Sequence, residues 1–398
     1  MGFSIIYFDD EREYRNPSST KYNFGVSIHP GLKEQDIKAI SDAGFDTVRI
    51  DIFWSNVEKQ KGVYDYKNSG YDELDQLLKK YNLRPYYILA YSNPIYEDGR
   101  FIKTERSREA FNKFITATVK RYKNQNVIWE IWNEPNLELF WESQPSEDDY
   151  FKLVQRVAPT IKSLDNTGTV VAPALAGLHN KSMAWLDQFL SKGTLNYIDA
   201  ISVHPYRDYP PETVAQDYVN LRKMIKNYTN KEIPVISGEW GYSTAGAYKL
   251  NEHEQADHLV RMFLINMAND IPLSVWYDWK NDGLDMSNKE HNFGIMWYSS
   301  NPKLSYLAMQ TFSRTMEGYT FVTRLETEDP SNYILKFKNQ DGKQIIAFWT
   351  TESNHNSYIP IDSGKGQIVS MLGAIRNVEW ENKIEMNFSS SPNYLVID

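Results

Sequence analysis

The 398-residue sequence contains no cysteine. A chain without cysteine has no disulfide framework, no thiolate metal site and no cysteine nucleophile, so these three kinds of site are excluded. The G-x-S-x-G, P-loop and dinucleotide-binding motifs are also missing, and no site of those types is indicated. The lack of disulfides leaves the compartment open, because many secreted bacterial proteins have none.

Positive charge is in deficit, with 43 Lys and Arg against 52 Asp and Glu and a net charge of −9. Nucleic acids are bound through a basic field, so we exclude a nucleic-acid partner and expect a neutral ligand. No apolar run approaches the about 18 residues of a membrane span, and residues 1–10 lack the basic start and apolar stretch of a signal peptide. We expect a monomer without membrane insertion, either secreted or at the surface of a bacterial cell with its leader absent from this chain, or cytoplasmic.

Short apolar runs alternate with amphipathic stretches between about residues 24 and 317. The eight apolar runs begin near Phe24, Thr47, Arg84, Ile128, Thr169, Ile198, Pro234 and Leu273. They recur about once per 36 residues, which is the spacing of a strand–helix unit. Clear helices between them cover Lys33–Ala43 (closed by Gly44), Ser107–Tyr122, Ser146–Ser163, Glu252–Asn269 and Pro302–Met316. Eight repeats in one run predict an α/β fold, a closed (β/α)8 TIM barrel over residues 21–318.

The pattern changes after about Tyr319 to short runs with alternating apolar and polar residues. These runs are YTFVTRLE, NYILKFK, QIIAFWT, SYIPID, QIVSML, NVEW, KIEMNF and NYLVID. The dipeptide Asp341-Gly342 between two of them indicates a hairpin turn. Residues 319–398 are therefore predicted to form a small C-terminal β-sandwich. Two interpretations stay open for the N-terminal segment 1–20: it adds a further strand to that sandwich, or it is a loose tail.

Two glutamates stand where predicted barrel strands end. Glu134 closes the fourth strand in the sequence WNEP, and Glu239 closes the seventh in SGEW. The active site of a TIM barrel lies at the carboxyl ends of its strands, and strands 4 and 7 are on roughly opposite walls. Two carboxyl groups facing each other at about 5 Å would make a retaining glycosidase, with Glu239 as nucleophile and Glu134 as acid/base.

The surroundings of this pair fit the same chemistry. Two carboxylates at so short a distance repel each other, and this repulsion raises the pKa of one of them. Such a shift would keep Glu134 protonated before the glycosyl-enzyme forms. Asn133, beside the acid, could hydrogen-bond the 2-hydroxyl of the sugar. The aromatic content of 14%, with 11 Trp and 27 Tyr, suits a sugar-binding surface as well as a core. Among these aromatic residues, Trp240 is next to Glu239 and is a candidate platform on which a sugar ring would stack.

The segments IWEIWNEPN and PVISGEW resemble those of glycoside hydrolase clan A, over roughly residues 24–317. Within the clan the chain is similar both to the cellulase-like family 5 and, through its appended sandwich, to family 39. It departs from the cellulase pattern after strand 3, where the often-present His is replaced by the sequence Ala-Tyr-Ser-Asn of residues 90–93.

The resemblance implies roles for four further residues of the substrate-binding site. Arg49 on strand 2 would support the nucleophile. His204 and Tyr206, in the His-Pro-Tyr of strand 6, would hydrogen-bond around the glutamates. Trp276 on strand 8 would form the floor of the subsite that holds the glycosyl unit.

Three other groups are weighed against plainer structural explanations. Glu130 lies inside strand 4 and is expected to be a buried structural partner of Arg49. His253 and His258 are five residues apart and do not share the helix face that a zinc site needs. The acidic residues at 278, 282 and 285 lack the spacing of a calcium loop, so a solvated loop is expected there.

The sequence therefore predicts a retaining glycosidase without metal or cofactor that cleaves β-linked poly- or oligosaccharide by double displacement. We expect endo action on a carbohydrate substrate. An exo-acting β-xylosidase-like enzyme and a catalytically degenerate carbohydrate-binding barrel are the alternatives.

Overall fold

The computed structural model describes residues 21–142, 144–245 and 250–398. Eight parallel strands in this part of the chain close into a barrel in chain order, because β1 pairs with both β2 and β8. The strands are β1 (Asn23–Ser27), β2 (Thr47–Phe53), β3 (Arg84–Ala90), β4 (Ile128–Ile131), β5 (Thr169–Ala176), β6 (Ala200–His204), β7 (Val235–Trp240) and β8 (Leu273–Trp276). The predicted TIM barrel is confirmed.

Helices surround the barrel, and their ends follow the capping signals of the sequence. They are α1 (Glu34–Ala43), α2 (Trp54–Val57), α3 (Tyr71–Lys80), α4 (Glu105–Tyr122), α5 (Glu147–Leu164), α6 (Asn180–Ser191), α7 (Ala215–Lys226), α8 (Glu252–Ala268) and α9 (Leu304–Met316). Gly44 ends α1 in the left-handed conformation (φ 93°), as predicted. Helix α4 begins earlier than predicted because Thr104 is its N-cap and accepts a hydrogen bond from the backbone of Ser107. Among the described residues, no helix combines the length and apolar composition needed to cross a membrane.

The interior of the barrel holds a small apolar cluster below the strand ends. It consists of Tyr86, Ile128, Val171, Ala200, Ile236, Leu273 and Val275. On β8 the side chains of Leu273 and Val275 belong to this cluster, so the alternate residues Ser274 and Trp276 face the helices. The hydroxyl of Ser274 accordingly accepts a hydrogen bond from Asn266 of α8 at 2.9 Å.

The C-terminal region forms two antiparallel sheets, which confirms the predicted β-sandwich. One sheet has the strand order β14-β13-β16-β11-β10-β9 and the other pairs β12 with β15. The strands are β9 (Thr320–Arg324), β10 (Asn332–Lys338), β11 (Gln344–Thr350), β12 (His355–Pro360), β13 (Gly364–Ser370), β14 (Ile375–Trp380), β15 (Lys383–Phe388) and β16 (Asn393–Ile397). The hairpin predicted at Asp341-Gly342 joins β10 and β11, with Gly342 at φ 83°.

The sandwich is fixed to the barrel through a buried carboxylate on a short 3-10 turn, Pro211–Val214. Glu212 accepts two hydrogen bonds from Arg261 of α8, at 2.6 and 2.7 Å, and a third from Trp349 of β11 at 2.7 Å. Sandwich and barrel therefore share a polar contact inside their common apolar interface. The domain limits at residues 318 and 319 stay a prediction, and the expectation for segment 1–20 lies outside the described residues.

Candidate active site

The polar cluster at the mouth of the barrel is assembled from strands that are far apart in sequence. Arg49 lies on β2, His204 ends β6, and Glu239 lies near the end of β7. Glu134 follows β4 in a sharply bent segment, where both Trp132 (φ 69°) and Glu134 (φ 46°) have positive φ. Two such non-glycine residues so close together are uncommon and are typical of functional sites.

The two predicted catalytic carboxylates face each other. A carboxylate oxygen of Glu134, one of Glu239 and a ring nitrogen of His204 all lie within 4.8 Å of one another. In retaining glycosidases the two carboxyl groups are about 5–5.5 Å apart, whereas inverting enzymes need about 6.5–9.5 Å to admit a water molecule. The arrangement fits the retaining geometry.

Arg49 is the centre of the hydrogen-bond network and is almost fully buried, with 2% of its surface exposed. Its Nε and Nη2 donate to Oε2 of Glu130 at 3.0 and 2.7 Å. Its Nη1 donates to Oε2 of Glu239, and Nη2 also donates to Oδ1 of Asn133 at 2.7 Å. The predicted pairing of Arg49 with Glu130 is confirmed, and Glu130 receives a further hydrogen bond from Tyr86 at 2.7 Å.

His204 has a defined tautomer in this network. Its Nε2 lies 3.3 Å from Nη2 of Arg49, which can only donate, so Nε2 accepts. The ring proton is therefore on Nδ1, which donates to Oε1 of Glu134 at 2.7 Å. Burial lowers the pKa of His204 to about 4, so the ring is neutral at working pH.

The environment of Glu134 favours the protonated form of its carboxyl group. Burial is the largest cause and raises its pKa to about 7, while the nearby Arg49 charge opposes the shift and Glu130 adds to it. The direction agrees with the sequence-based expectation, but burial takes the place of the expected repulsion from Glu239 as the main cause. Since Oε1 accepts from His204, the acidic proton is carried by Oε2.

Glu239 is surrounded by donors that stabilise its anion. Tyr206 donates to Oε1 at 2.9 Å and Arg49 donates to Oε2. The preceding Gly238 makes this approach possible, because a Cβ there would lie 2.2 Å from the hydroxyl oxygen of Ser202. Glu239 keeps 15% of its side chain exposed, and a substrate can reach it from the mouth.

Neither tryptophan predicted for the subsite reaches this cluster. Trp240 and Trp276 are both 0% exposed and belong to the core between barrel and helices. Successive side chains of a strand point to opposite faces, and Val275 faces the barrel interior. The next residue, Trp276, therefore points outward towards the helices. A side chain without accessible surface offers no platform to a sugar.

Two other side chains, which the sequence analysis missed, border the cluster. Tyr277, the residue after β8, is half-buried, and its ring lies 6.5 Å from that of Tyr206. Asp51 lies two residues after Arg49 on β2; burial raises its pKa to about 6, with further effects from the charges of Arg49 and Glu239. The i, i+2 spacing from Arg49 could have indicated Asp51, whereas nothing in the sequence distinguishes Tyr277 from Trp276.

Comparisons with known proteins agree with this geometry. The cellulase family (glycosyl hydrolase family 5) matches residues 14–283, more than half of the chain. A β-xylosidase of Caldicellulosiruptor saccharolyticus is 23% identical over 389 residues, covering 86% of this chain and 76% of that protein.

Solved structures show the same architecture. A family 39 glycoside hydrolase from the gut symbiont Bacteroides cellulosilyticus WH2 superposes with a TM-score of 0.84 at 26% identity, covering 96% of this chain and 82% of that one. A monomeric β-xylosidase from Caulobacter crescentus has a TM-score of 0.69 at 15% identity, covering 95% of this chain and 96% of that one. The protein is a glycosidase of clan A and belongs to the cellulase family, glycosyl hydrolase family 5.

Proposed function

We propose that the protein is a retaining β-glycoside hydrolase with Glu239 as nucleophile and Glu134 as general acid/base. The observation that carries the proposal is the approach of the two carboxylates to within 4.8 Å. Their environments support different roles, because burial raises the pKa of Glu134 whereas the carboxylate of Glu239 accepts hydrogen bonds from two donors. Such an intact arrangement also speaks against the alternative of a catalytically degenerate binding barrel.

In the first step an oxygen of Glu239 attacks the anomeric carbon as the glycosidic C–O bond breaks. Glu134 transfers its proton from Oε2 to the leaving oxygen, so the aglycone departs as a neutral alcohol. Asn133 has its Oδ1 bound to Arg49, which leaves its amide NH2 to donate to the 2-hydroxyl of the sugar. That contact strengthens as positive charge develops at the anomeric centre.

In the second step Glu134, now ionised, removes a proton from water. The water oxygen bonds to the anomeric carbon and the ester bond to Glu239 breaks, which regenerates both side chains. His204 stabilises the ionised Glu134 between the two steps, because its Nδ1–H donates to Oε1. Two inversions at one carbon give overall retention.

The substrate is a β-linked poly- or oligosaccharide, and endo action is the favoured mode. Tyr277, in place of Trp276, is the aromatic side chain that would border the sugar from β8. Exo action is the second candidate, because the relative that covers 86% of this chain is a β-xylosidase. As for the Caulobacter relative, we propose a monomer.

Two substitutions test the assignment of the carboxylates. Glu239→Gln should abolish turnover of aryl β-glycosides, since an amide cannot replace the carboxylate as nucleophile. Glu134→Ala should be slow with an activated aryl glycoside and should regain activity with azide, which attacks the glycosyl-enzyme without a base and yields a β-glycosyl azide.

The matched control is Glu138→Gln, an exposed glutamate in the loop that follows Glu134. It should behave as the wild type. Wild-type-like turnover by Glu239→Gln, or an azide product of inverted configuration, would contradict the assignment.

A product profile separates endo from exo action. On xylan and β-glucan, an endo enzyme lowers viscosity early and releases a range of oligosaccharides, whereas an exo enzyme releases monosaccharide while viscosity stays high. Early release of monosaccharide alone would replace the endo proposal by the exo one.

A further inference from the structure

A second polar cluster lies at the mouth of the barrel, where β1 meets β8. His29 follows β1, and Asp278 and Asp282 follow β8; the closed barrel brings them together although about 250 residues separate them in sequence. Nε2 of His29 lies 3.4 Å from Oδ2 of Asp278 and 3.4 Å from Oδ2 of Asp282. The hydroxyl of Tyr277 is 3.3 Å from the same nitrogen.

Asp278 is buried without adequate partners. It is 1% exposed, and neither carboxylate oxygen has a hydrogen bond of good geometry among the described residues; its ion-pair partner is His29, 3.4 Å from Oδ2. The solvated loop expected from the sequence is therefore wrong for Asp278. The side chain of Lys303 is also buried, and its hydrogen bond goes to Asn281 at 2.8 Å. A buried carboxylate in this state calls for an ion or water that completes it.

His29 alone cannot supply what is missing. Its Nε2 can carry one proton, yet it faces two carboxylates and a hydroxyl at nearly equal distances. Both carboxylate oxygens, at 3.4 Å, are farther from this nitrogen than in a good charge-assisted hydrogen bond.

The spacing fits a metal ion. Ligand atoms about 2.1 Å from a tetrahedral ion lie about 3.4 Å from each other, which is the separation observed between the histidine nitrogen and each carboxylate. One oxygen from each aspartate and the nitrogen of His29 lie within 4.8 Å of one another.

We propose that His29, Asp278 and Asp282 bind a divalent transition-metal cation of the Zn²⁺ type, with water or Tyr277 as the fourth ligand. One imidazole and two carboxylates form a ligand set for such ions. Calcium would require six to eight oxygen ligands, and the third aspartate of the loop, Asp285, bonds instead to Ser287 at 2.7 Å.

The site would act by positioning. Tyr277 contacts the cluster through its hydroxyl, and its ring lies beside that of Tyr206, which donates to Glu239. A bound cation would neutralise the buried charge of Asp278 and fix Tyr277 at the edge of the sugar subsite. The cation takes no part in the double displacement, so the inference stands apart from the proposed function.

Metal binding by the full chain is the direct test. The chelator-treated wild type is titrated with ZnCl2 by isothermal calorimetry, and its zinc content is measured after dialysis. We expect one equivalent of tightly bound Zn²⁺ and a higher Tm in its presence. Asp278→Asn and Asp282→Asn should each bind about 100-fold more weakly or worse.

Asp285→Asn is the matched control, because it removes the same charge from the same loop outside the cluster, and it should bind Zn²⁺ as the wild type does. Asp282 is one-third exposed, so its variant keeps the test valid if Asp278→Asn fails to fold. No binding by the wild type, or equal binding by Asp282→Asn, would overturn the proposal; the second result would move the ion to another site, such as the one formed by Glu134, His204 and Glu239.

Discussion

The alkaline limb of the pH profile of kcat/KM should follow the protonation of Glu134. Its pKa is raised from 4.5 to about 7, chiefly by burial and against the charge of Arg49. At 1.36 kcal/mol per pH unit this shift corresponds to about 3 kcal/mol in favour of the neutral carboxyl group. With a poor leaving group, which needs the proton, kcat/KM should therefore fall tenfold per pH unit above about pH 7.

Aryl β-glycosides of graded leaving-group acidity provide the assay. A dinitrophenyl glycoside needs little protonation, so its alkaline limb should be flat or much weaker, and Glu134→Ala should lose the limb altogether. His204 is not an alternative source, because its pKa is about 4. The reasoning would be refuted if kcat/KM for poor leaving groups already fell above about pH 4.5, or if Glu134→Ala kept the same alkaline limb as the wild type.

Three further substitutions test individual contacts. Tyr206→Phe removes a hydrogen bond of 2.9 Å to the carboxylate of Glu239, worth about 1.5–3 kcal/mol, and should lower kcat about 10- to 100-fold in steady-state assays. Glu134→Gln should alter the pH dependence of stability. Because the pKa of Glu134 is raised in the folded state, the wild type loses stability as pH rises from 4.5 through 7. In urea unfolding, the free energy of unfolding of the variant should therefore rise by about 3 kcal/mol relative to the wild type between pH 4 and pH 8. Glu212→Gln leaves the buried Arg261 without its charge partner and should lower the free energy of unfolding by about 3 kcal/mol.

Exposed residues of the same type serve as controls for these variants. Tyr209→Phe, on the loop after β6, should keep full activity, and Glu328→Gln should keep full stability. The network around the nucleophile is described wrongly if Tyr206→Phe changes kcat by less than twofold. The assignment of Glu134's protonation fails if its Gln variant has the same pH-dependent stability as the wild type.

The strands and most helices of the barrel could be predicted because their signals are local. Each apolar run ends at a polar residue, and caps such as Gly44 and Ser146 mark helix ends. The carboxylates could be predicted because both lie at strand ends, where the fold itself collects side chains. Their partner Arg49 came from resemblance, and the structure adds the hydrogen bonds that define its neighbours.

The sequence could not show that Tyr277, and not Trp276, lies beside the polar cluster, because the barrel strands are apolar on both faces. Parallel strands are buried on both faces, so they are apolar throughout and carry no alternation that would reveal which residues face the axis. Trp276 and Tyr277 are neighbours of similar character, and only the packing of Val275 inside the barrel decides between them. The cluster around His29 was missed for another reason, since its aspartates lie about 250 residues farther along the chain.

Covalent trapping of the nucleophile tests the central claim most directly. The protein is incubated with the 2-deoxy-2-fluoro analogue of the aryl β-glycoside that it hydrolyses, and the site of labelling is located by peptide mass spectrometry. The account predicts one fluoroglycosyl group per chain, attached to Glu239, together with loss of activity. Labelling of any other residue, or inactivation without a covalent adduct, would contradict the double displacement proposed for Glu134 and Glu239.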